Sequence, residues 1–439
     1  MTLSVIILAA GKGTRMNSEK LKVFHEVGNY PLIFHVLDTV SKLKPEKCFV
    51  VISPEMEEKK SEISKKFGFV EFSVQKNQLG TADAVKSVRE LKSNNKSDTT
   101  IILYADTPLI ELQTLKKIIK LVQEKKSDLS ILSMKPENPK QYGRLKITGK
   151  NSVLKIIEDS EASIEEKKIK ICNSGVMAIN TGLLIENLEK IKNNNSKKEF
   201  YLTDLVEIFN EIKKKVSHFE CDFYETMGIN NRNDLQEVDN FFQEKIKKDA
   251  IDKGVTFLDK KSVYMSYDTK IGNDSVIFPN VYFGKNVEIQ KNVSIKSFCH
   301  FEDVTIKKDC EIGPFARIRG ETIIENDVKV GNFVEIKKSR INKKTKIAHL
   351  SYIGDAVVGY NTNIGAGTIT CNYDGFDKHQ TIIGNNCFIG SNSSLIAPIE
   401  INENSVVGAG TVLKSNIASH TTVFRKSELI KKKNKKKKN

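Results

Sequence analysis

A chain of 439 residues is too long for one ordinary hydrophobic core, so two domains are expected. The formal net charge is +15, and lysines from Lys426 to Lys438 supply eight positive charges, leaving a moderately basic body whose charge phosphorylated substrates or loose nucleic-acid contact could use, with no specific nucleic-acid partner expected. The seven cysteines form no CxxC pair, no apolar run reaches the length of a membrane span, and the first residues enter an apolar strand without a basic leader, so a cytoplasmic protein with reduced thiols is expected.

Leu3-Ser4-Val5-Ile6-Ile7-Leu8 reads as a buried strand. It runs into Ala9-Ala10-Gly11-Lys12-Gly13-Thr14-Arg15-Met16, whose small residues let backbone amides approach a phosphate. Lys12, Arg15 and the nearby Lys22 add positive charge. The turn lacks the Gly-Lys-Ser/Thr ending of a P-loop and the full GxGxxG spacing, so alone it leaves the ligand class open. Strand patterns over 48–53, 99–104 and 129–134 alternate with helical patterns over 56–67 and 114–125, which predicts a doubly wound, Rossmann-like α/β domain. Such sheets bind ligands at the carboxyl ends of their strands. Asp106 stands at such an end and reads either as a magnesium ligand or as a turn-forming acid before Thr107-Pro108. Leu235, Val238, Phe241, Phe242 and Ile246 then recur at helical spacing and predict a joining helix, ended by Gly254.

From Ile271 an apolar residue returns at every sixth place, through Ile277, Phe283, Ile289, Ile295 and Phe301. The same step resumes from Ile306, Ile341, Val358 and Ile383. A period of six is neither helical nor alternating, and sustained this far it predicts a solenoid of parallel β-coils with three hexads to a triangular turn. Glycines after the inward residue, as at Gly272, Gly365 and Gly390, are expected to serve tight corners. Arg319 and Lys337 are eighteen residues apart, one full coil, so they should stack into a cationic spot for an anion or for solvent. His349 reads as a general base or as a corner histidine, with Asp355 close by in sequence. Asn372-Tyr373-Asp374-Gly375 interrupts the hexads and must project from the prism. Beyond Lys426 a disordered basic tail is expected.

The hexads resemble the left-handed parallel β-helix of hexapeptide-repeat acyltransferases, and the handedness comes from that resemblance alone, because parallel crossovers are ordinarily right-handed. The first half resembles a sugar-1-phosphate nucleotidyltransferase on Leu8 to Met16, Lys22, Gln75, Gln78-Leu79-Gly80-Thr81-Ala82, Asp106, Tyr142-Gly143-Arg144 and Asn230-Asn231-Arg232. Together the halves resemble the family of bacterial bifunctional N-acetylglucosamine-1-phosphate uridylyltransferases and glucosamine-1-phosphate N-acetyltransferases. The resemblance implies a uridylyltransferase domain over 1–229, a linker helix over 230–253, a β-helix acetyltransferase domain over 254–425 and a basic tail over 426–439. It implies acetyl transfer from acetyl-CoA to glucosamine 1-phosphate, then uridylyl transfer from UTP to N-acetylglucosamine 1-phosphate, with Mg²⁺ as cofactor and a homotrimer as the working form.

By the same resemblance Leu8, Ala9, Ala10, Gly11, Gln75, Gly80, Thr81, Tyr104 and Ala105 hold the uridine nucleotide, and Arg15 and Lys22 neutralise triphosphate charge. Gly143, Glu158 and Asn173 hold the sugar, while Asp106 and Asn230 ligate the metal. In the prism His349 is the base, and Arg319, Lys337, Tyr352, Asn363 and Lys378 bind the sugar phosphate. Ala366, Asn372, Tyr373, Ser391, Ala409 and Arg425 bind acetyl-CoA. The chain departs from the family pattern at Ala105, Ser174, Met227 and Gly320, and in a stretch before Arg425 that is one residue short. A second reading keeps the nucleotidyltransferase and makes the prism a structural oligomerisation domain.

Overall fold

A computed structural model of the protein describes residues 2–89, 97–139, 141–149, 151–426 and 430–432. Contacts divide the chain into two units, Met1–Phe242 and Gln243–Asn439. The division falls inside the helix Arg232–Asp252. Val238 belongs to a core cluster of the first unit and Ala250 to that of the second. Residues 427–429 and 433–439, the greater part of the expected basic tail, lie outside the described residues.

The first unit is built on β1 (Leu3–Leu8), buried at every position because neighbours and helices cover both its edges and faces. β2 (Lys47–Ile52), β3 (Val70–Val74) and β4 (Thr99–Tyr104) extend it as a parallel sheet. Beyond β4 come β5 (Leu129–Met134), the hairpin of β6 (Arg144–Thr148) and β7 (Ser152–Ile157), then β8 (Cys172–Asn180) and β9 (Val216–Glu220). The order across the sheet is β3-β2-β1-β4-β8-β5-β9-β7-β6. β8 runs antiparallel to both β4 and β5, so the doubly wound sheet is mixed in its second half. The hairpin and β8 matter for function: Gly143 precedes β6, Glu158 follows β7 and Asn173 lies in β8. Helices cover the sheet with apolar stripes, as in Leu112–Gln123, which buries Leu115, Ile118, Ile119 and Val122. Each such buried aliphatic side chain contributes on the order of 1.5–3 kcal/mol.

The second unit is a left-handed parallel β-helix of hexapeptide repeats. Its inward residues stack coil on coil in three ladders. One runs Ile277, Ile295, Ile312, Val330, Ile347, Ile364, Ile389, Val407. A second runs Phe283, Phe301, Ile318, Ile336, Ile353, and the third runs Ile289, Ile306, Ile324, Ile341, Val358, Ile383, Ile401. All these side chains are buried in one continuous core. Buried hydroxyls lock the turns: Thr345 donates to the Gly359 carbonyl and Thr362 to that of Gly384, each at 2.8 Å.

Of the glycines after inward residues, Gly313, at φ +91°, has the left-handed backbone of a tight corner, whereas Gly272, Gly365 and Gly390 serve a different purpose from the one their sequence suggested. Left-handed backbone falls three places after the inward residue, at Asp274, Asn280, Asn286, Asn292 and their equivalents. These glycines instead admit the next coil. A Cβ on Gly272 would lie 2.6 Å from the Lys291 amide nitrogen, and one on Gly365 would lie 2.5 Å from that of Ser391. Among the described residues no helix is long and apolar enough to cross a membrane.

Candidate active sites

β1 and β4 pair in register to their last residues, Leu8 and Tyr104. Two further backbone bonds, from Ala105 to Leu8 and from Ala9 to Val51, continue the ladder past the strand ends at 3.0 and 2.8 Å. There a cavity of about 450 Å³ opens, lined by Leu8, Ala9, Ala10, Gly11, Lys22, Gln75, Gly80, Thr81, Tyr104 and Asp106 among others. Ala105 does not line it. Its methyl group is fully buried beneath the floor, on backbone that is not left-handed, which is why alanine is accommodated there. Gly80 has φ +113°, and a Cβ there would meet the Phe200 carbonyl oxygen at 2.6 Å, so only glycine fits. The Gln75 amide donates to the Gly80 carbonyl at 2.9 Å and to Asp83 Oδ2 at 2.7 Å, and Gln78 donates to the Ala10 carbonyl at 2.7 Å.

Beside this cavity the charged groups converge. Lys22 Nζ lies 2.5 Å from Asp106 Oδ2 and 3.2 Å from Asn230 Oδ1. Arg15 donates to the same Asn230 oxygen at 3.0 Å and to Gln141 Oε1 at 2.7 Å. Asn230 is held by its backbone N–H, which donates to Asp234 Oδ2 at 2.8 Å. Asp106 and Asn230, far apart in the chain, thus aim their oxygens at one cationic point. One carboxylate and one amide oxygen fit Mg²⁺, which takes oxygen ligands and leaves its other positions to phosphate and water. Among the described residues no group of three or more His, Cys, Asp or Glu side chains competes as a metal cluster.

A second cavity of about 800 Å³ is lined by Arg15, Tyr142, Glu158, Asn230 and Met227 among others. Thr203 donates to Glu158 Oε1 at 3.0 Å, and burial raises the Glu158 pKa above the usual carboxylate value. Asn173 donates its N–H to the Gly143 carbonyl at 2.8 Å and accepts from the Gly175 amide at 2.9 Å. Gly175, at φ +89°, is required because a Cβ would stand 2.5 Å from the Tyr104 ring. Burial also raises the Tyr104 phenol, keeping it neutral. Ser174 bonds the Leu132 carbonyl at 2.7 Å. Thr203, Asp83, Gln141 and Asp234 brace the site but were not singled out from sequence. Gln78 and Tyr142 lay inside the quoted motifs.

In the β-helix, one corner gathers a row. Asn332 and His349 are direct partners in adjacent coils. Because Ile347, Ile364, Ile389, Val407 and Val423 are in register, the residues two places on share that corner: His349, Ala366, Ser391, Ala409 and Arg425. Backbone bonds tie the steps, from Asn392 to Ala366 at 2.7 Å and from Gly410 to Ser391 at 2.8 Å. The last coil is short, and its pairing ends at Val423, two residues before Arg425. Small side chains in sequence make this an open edge headed by a histidine.

Arg319 and Lys337 are in register, as their spacing implies. Arg319 also binds Glu335 through Nε at 2.9 Å and Nη2 at 2.8 Å. The Lys378 ammonium, more than burial or Arg319, lowers the Lys337 pKa. Three cations therefore crowd one spot, two of them half-buried, which favours an anion among them. Tyr352 stands on the same side, paired with Glu335. Asn363 does not join them: it lies on another ladder, between Lys346 and Phe388. Gly320 has φ +70°, a conformation closed to proline.

The projecting loop is a short hairpin bridged at Tyr373 and Lys378. Asp374 Oδ1 accepts from the amides of Phe376 and Asp377, and its Oδ2 meets His379 Nε2 at 2.6 Å. The Asp377 amide and the other donors hold Asp374 far below the usual carboxylate range. Asn372 is buried and donates to Asp355 Oδ2 at 2.5 Å, while Tyr373 is exposed. Asp355 is thus engaged with the loop. The group against His349 Nδ1 is Asn332 Oδ1, at 2.7 Å.

Comparison with known proteins covers both units. A nucleotidyl transferase family model matches residues 4–243, a model of the hexapeptide repeat of succinyl-transferase matches 380–415, and one of the GMPPB C-terminal domain matches 300–376. Bifunctional protein GlmU of Zymomonas mobilis subsp. mobilis is 40% identical over 97% of this chain and 94% of its own length. The protein of that name from Wolbachia pipientis wMel is 41% identical over 98% of each chain. That from Thermosipho melanesiensis is 40% identical over 98% of this chain and 97% of its own.

Proposed function

The chain belongs to the family of bifunctional GlmU proteins, and on that premise we propose how its two units divide the synthesis of UDP-N-acetylglucosamine. The enzyme is a bifunctional transferase. Its C-terminal unit transfers acetyl from acetyl-CoA to glucosamine 1-phosphate. Its N-terminal unit then transfers uridylyl from UTP to N-acetylglucosamine 1-phosphate and releases pyrophosphate. The product serves peptidoglycan and lipopolysaccharide synthesis.

In acetyl transfer the amine of glucosamine 1-phosphate must lose a proton before its nitrogen attacks the thioester carbonyl. His349 Nε2 takes that proton, the carbon–sulfur bond breaks, and the CoA thiolate leaves. Arg319, Lys337, Lys378 and Tyr352 hold the phosphate. Ala366, Ser391 and Ala409 leave room for acetyl-CoA along the corner, with Asn372 and Tyr373 on one side and Arg425 facing CoA phosphates. Asn363 completes the sugar site from a neighbouring chain, which makes the working form a homotrimer. What supports this is that Asn363 stands on a different ladder from the three cations. A stable monomer in light scattering with full acetyl transfer would refute it.

In uridylyl transfer a phosphate oxygen of N-acetylglucosamine 1-phosphate attacks the α-phosphorus of UTP as the bond to pyrophosphate breaks. Gly11, Gln75, Gly80 and Thr81 hold the uridine; Gly143, Glu158 and Asn173 hold the sugar. Arg15 and Lys22 offset charge developing on the phosphates. Asp106 and Asn230 would hold Mg²⁺, which when bound draws off phosphate charge. The seven cysteines, none in a disulfide, support a cytoplasmic location.

The observation that carries the reading is the match to bifunctional relatives across both units, with a cation-centred cavity in one and a histidine-headed corner in the other. The purified chain, given glucosamine 1-phosphate, acetyl-CoA, UTP and Mg²⁺, should release free thiol and then pyrophosphate. Pyrophosphate release from supplied N-acetylglucosamine 1-phosphate without any thiol release from glucosamine 1-phosphate would reduce the prism to a structural part.

A further inference from the structure

The corner that carries His349 begins one coil earlier, at Asn332, which none of the roles above uses. We infer that Asn332 is a positioning residue for acetyl transfer: its side-chain oxygen holds His349 in the tautomer that leaves Nε2 free to accept the substrate's proton. This rests on the reading of His349 as the base.

Asn332 and His349 are Cα partners in neighbouring coils, and Oδ1 lies 2.7 Å from Nδ1. An amide oxygen only accepts, so Nδ1 carries the proton and the lone pair of the neutral ring falls on Nε2. Among the described residues Nε2 has no hydrogen-bond partner, so it is available to a substrate. The backbone fixes the pair as firmly as the side chains do. The Leu350 amide donates to the Asn332 carbonyl at 3.0 Å. A Cβ on Gly331 would lie 1.8 Å from the Ala348 carbonyl oxygen, so glycine there lets the two coils close up where the asparagine faces the histidine. The carboxylate nearest in sequence, Asp355, is occupied by Asn372. A neutral partner also suits the task. A carboxylate against Nδ1 would favour the imidazolium, whereas an amide orients the ring without adding charge.

The test compares Asn332→Leu, Asn332→Asp, His349→Ala and the double variant Asn332→Leu/His349→Ala in both half-reactions of the full chain. Asn332→Leu should lower acetyl-transfer kcat by about 10- to 100-fold, the usual cost of losing a ring-orienting partner, while leaving both KM values within about 2-fold. Asn332→Asp, which retains an acceptor but favours the imidazolium, should recover most of the lost turnover at alkaline pH, where the ring has given up its extra proton. The double variant should be no slower than His349→Ala alone, because Asn332 acts only through the ring. Uridylyl transfer should stay normal in all four. Normal turnover in Asn332→Leu, a loss confined to KM, failure of Asn332→Asp to rescue even at alkaline pH, or additive losses in the double variant each overturn the inference. If His349→Ala keeps its turnover, the general-base reading fails and this inference with it. If His349→Ala is inactive and Asn332→Leu is not impaired, only the role of Asn332 fails.

Discussion

The two units build their sites by opposite means. In the first, Arg15, Lys22, Asp106 and Asn230 reach one point from separate segments, and the sheet beneath holds them there. In the second, Asn332, His349, Ala366, Ser391, Ala409 and Arg425 stand on one corner because each is two places past an inward residue. A site assembled from distant segments depends on the whole core. A site assembled by repetition depends on the coil above and the coil below. Changes in one unit should therefore leave the chemistry of the other intact, and the expected effects below grade from the reacting groups outward.

The largest effect belongs to His349→Ala. Loss of a general base should cut acetyl transfer by about two to four orders of magnitude, mainly in kcat, with partial recovery at higher pH as free amine accumulates. Uridylyl transfer, assayed on the same preparation, should be normal. Next come Arg15→Ala and Asp106→Ala, which remove charge partners of the triphosphate site. Each should lower uridylyl transfer by about two to three orders of magnitude while thiol release persists. Smaller again is Gly272→Ala, far from any reacting group. Forcing a methyl group against the Lys291 amide should destabilise the β-helix by about 1–3 kcal/mol, read from its urea midpoint, without changing uridylyl transfer.

The smallest effect concerns pH. Burial, with Glu207 and Glu158 adding to it, raises Asp204 from 3.8 to about 6 in the folded first unit. The folded state therefore binds this proton more tightly than the unfolded chain does. Its contribution to stability is fully present below 3.8 and is lost as pH rises through about 6. Across that window the thermal midpoint of the parent chain should fall with pH relative to that of Asp204→Asn, whatever the course common to both.

What the sequence disclosed follows the same contrast. The inward residues and the Arg319–Lys337 stack were legible because a step of six is local arithmetic, and each hexad repeats it. Strands 99–104 and 129–134 were legible as compact apolar runs. The antiparallel course of β8 was not, because direction in a sheet is decided by distant partners. The purpose of Gly272, Gly365 and Gly390 was misread because their constraint is the approach of another coil, invisible along the chain. Thr203 against Glu158 and Asn332 against His349 were missed for a related reason: an ordinary polar residue becomes part of a site only through its neighbour in space. Arg425 follows a shortened stretch, and the coil ladder pairs only as far as Val423, two residues before it.

The central claim is that two complete and separate chemistries reside in one chain. It is tested most directly by mixing purified His349→Ala with purified Asp106→Ala. Glucosamine 1-phosphate, acetyl-CoA, UTP and Mg²⁺ are supplied, and thiol and pyrophosphate are followed separately. Alone, the first variant should release little thiol yet yield pyrophosphate from added N-acetylglucosamine 1-phosphate, and the second should release thiol and little pyrophosphate. Mixed, they should carry glucosamine 1-phosphate through to UDP-N-acetylglucosamine. A mixture that stalls although both variants are folded, or a single substitution that abolishes both half-reactions in a folded protein, would contradict the account.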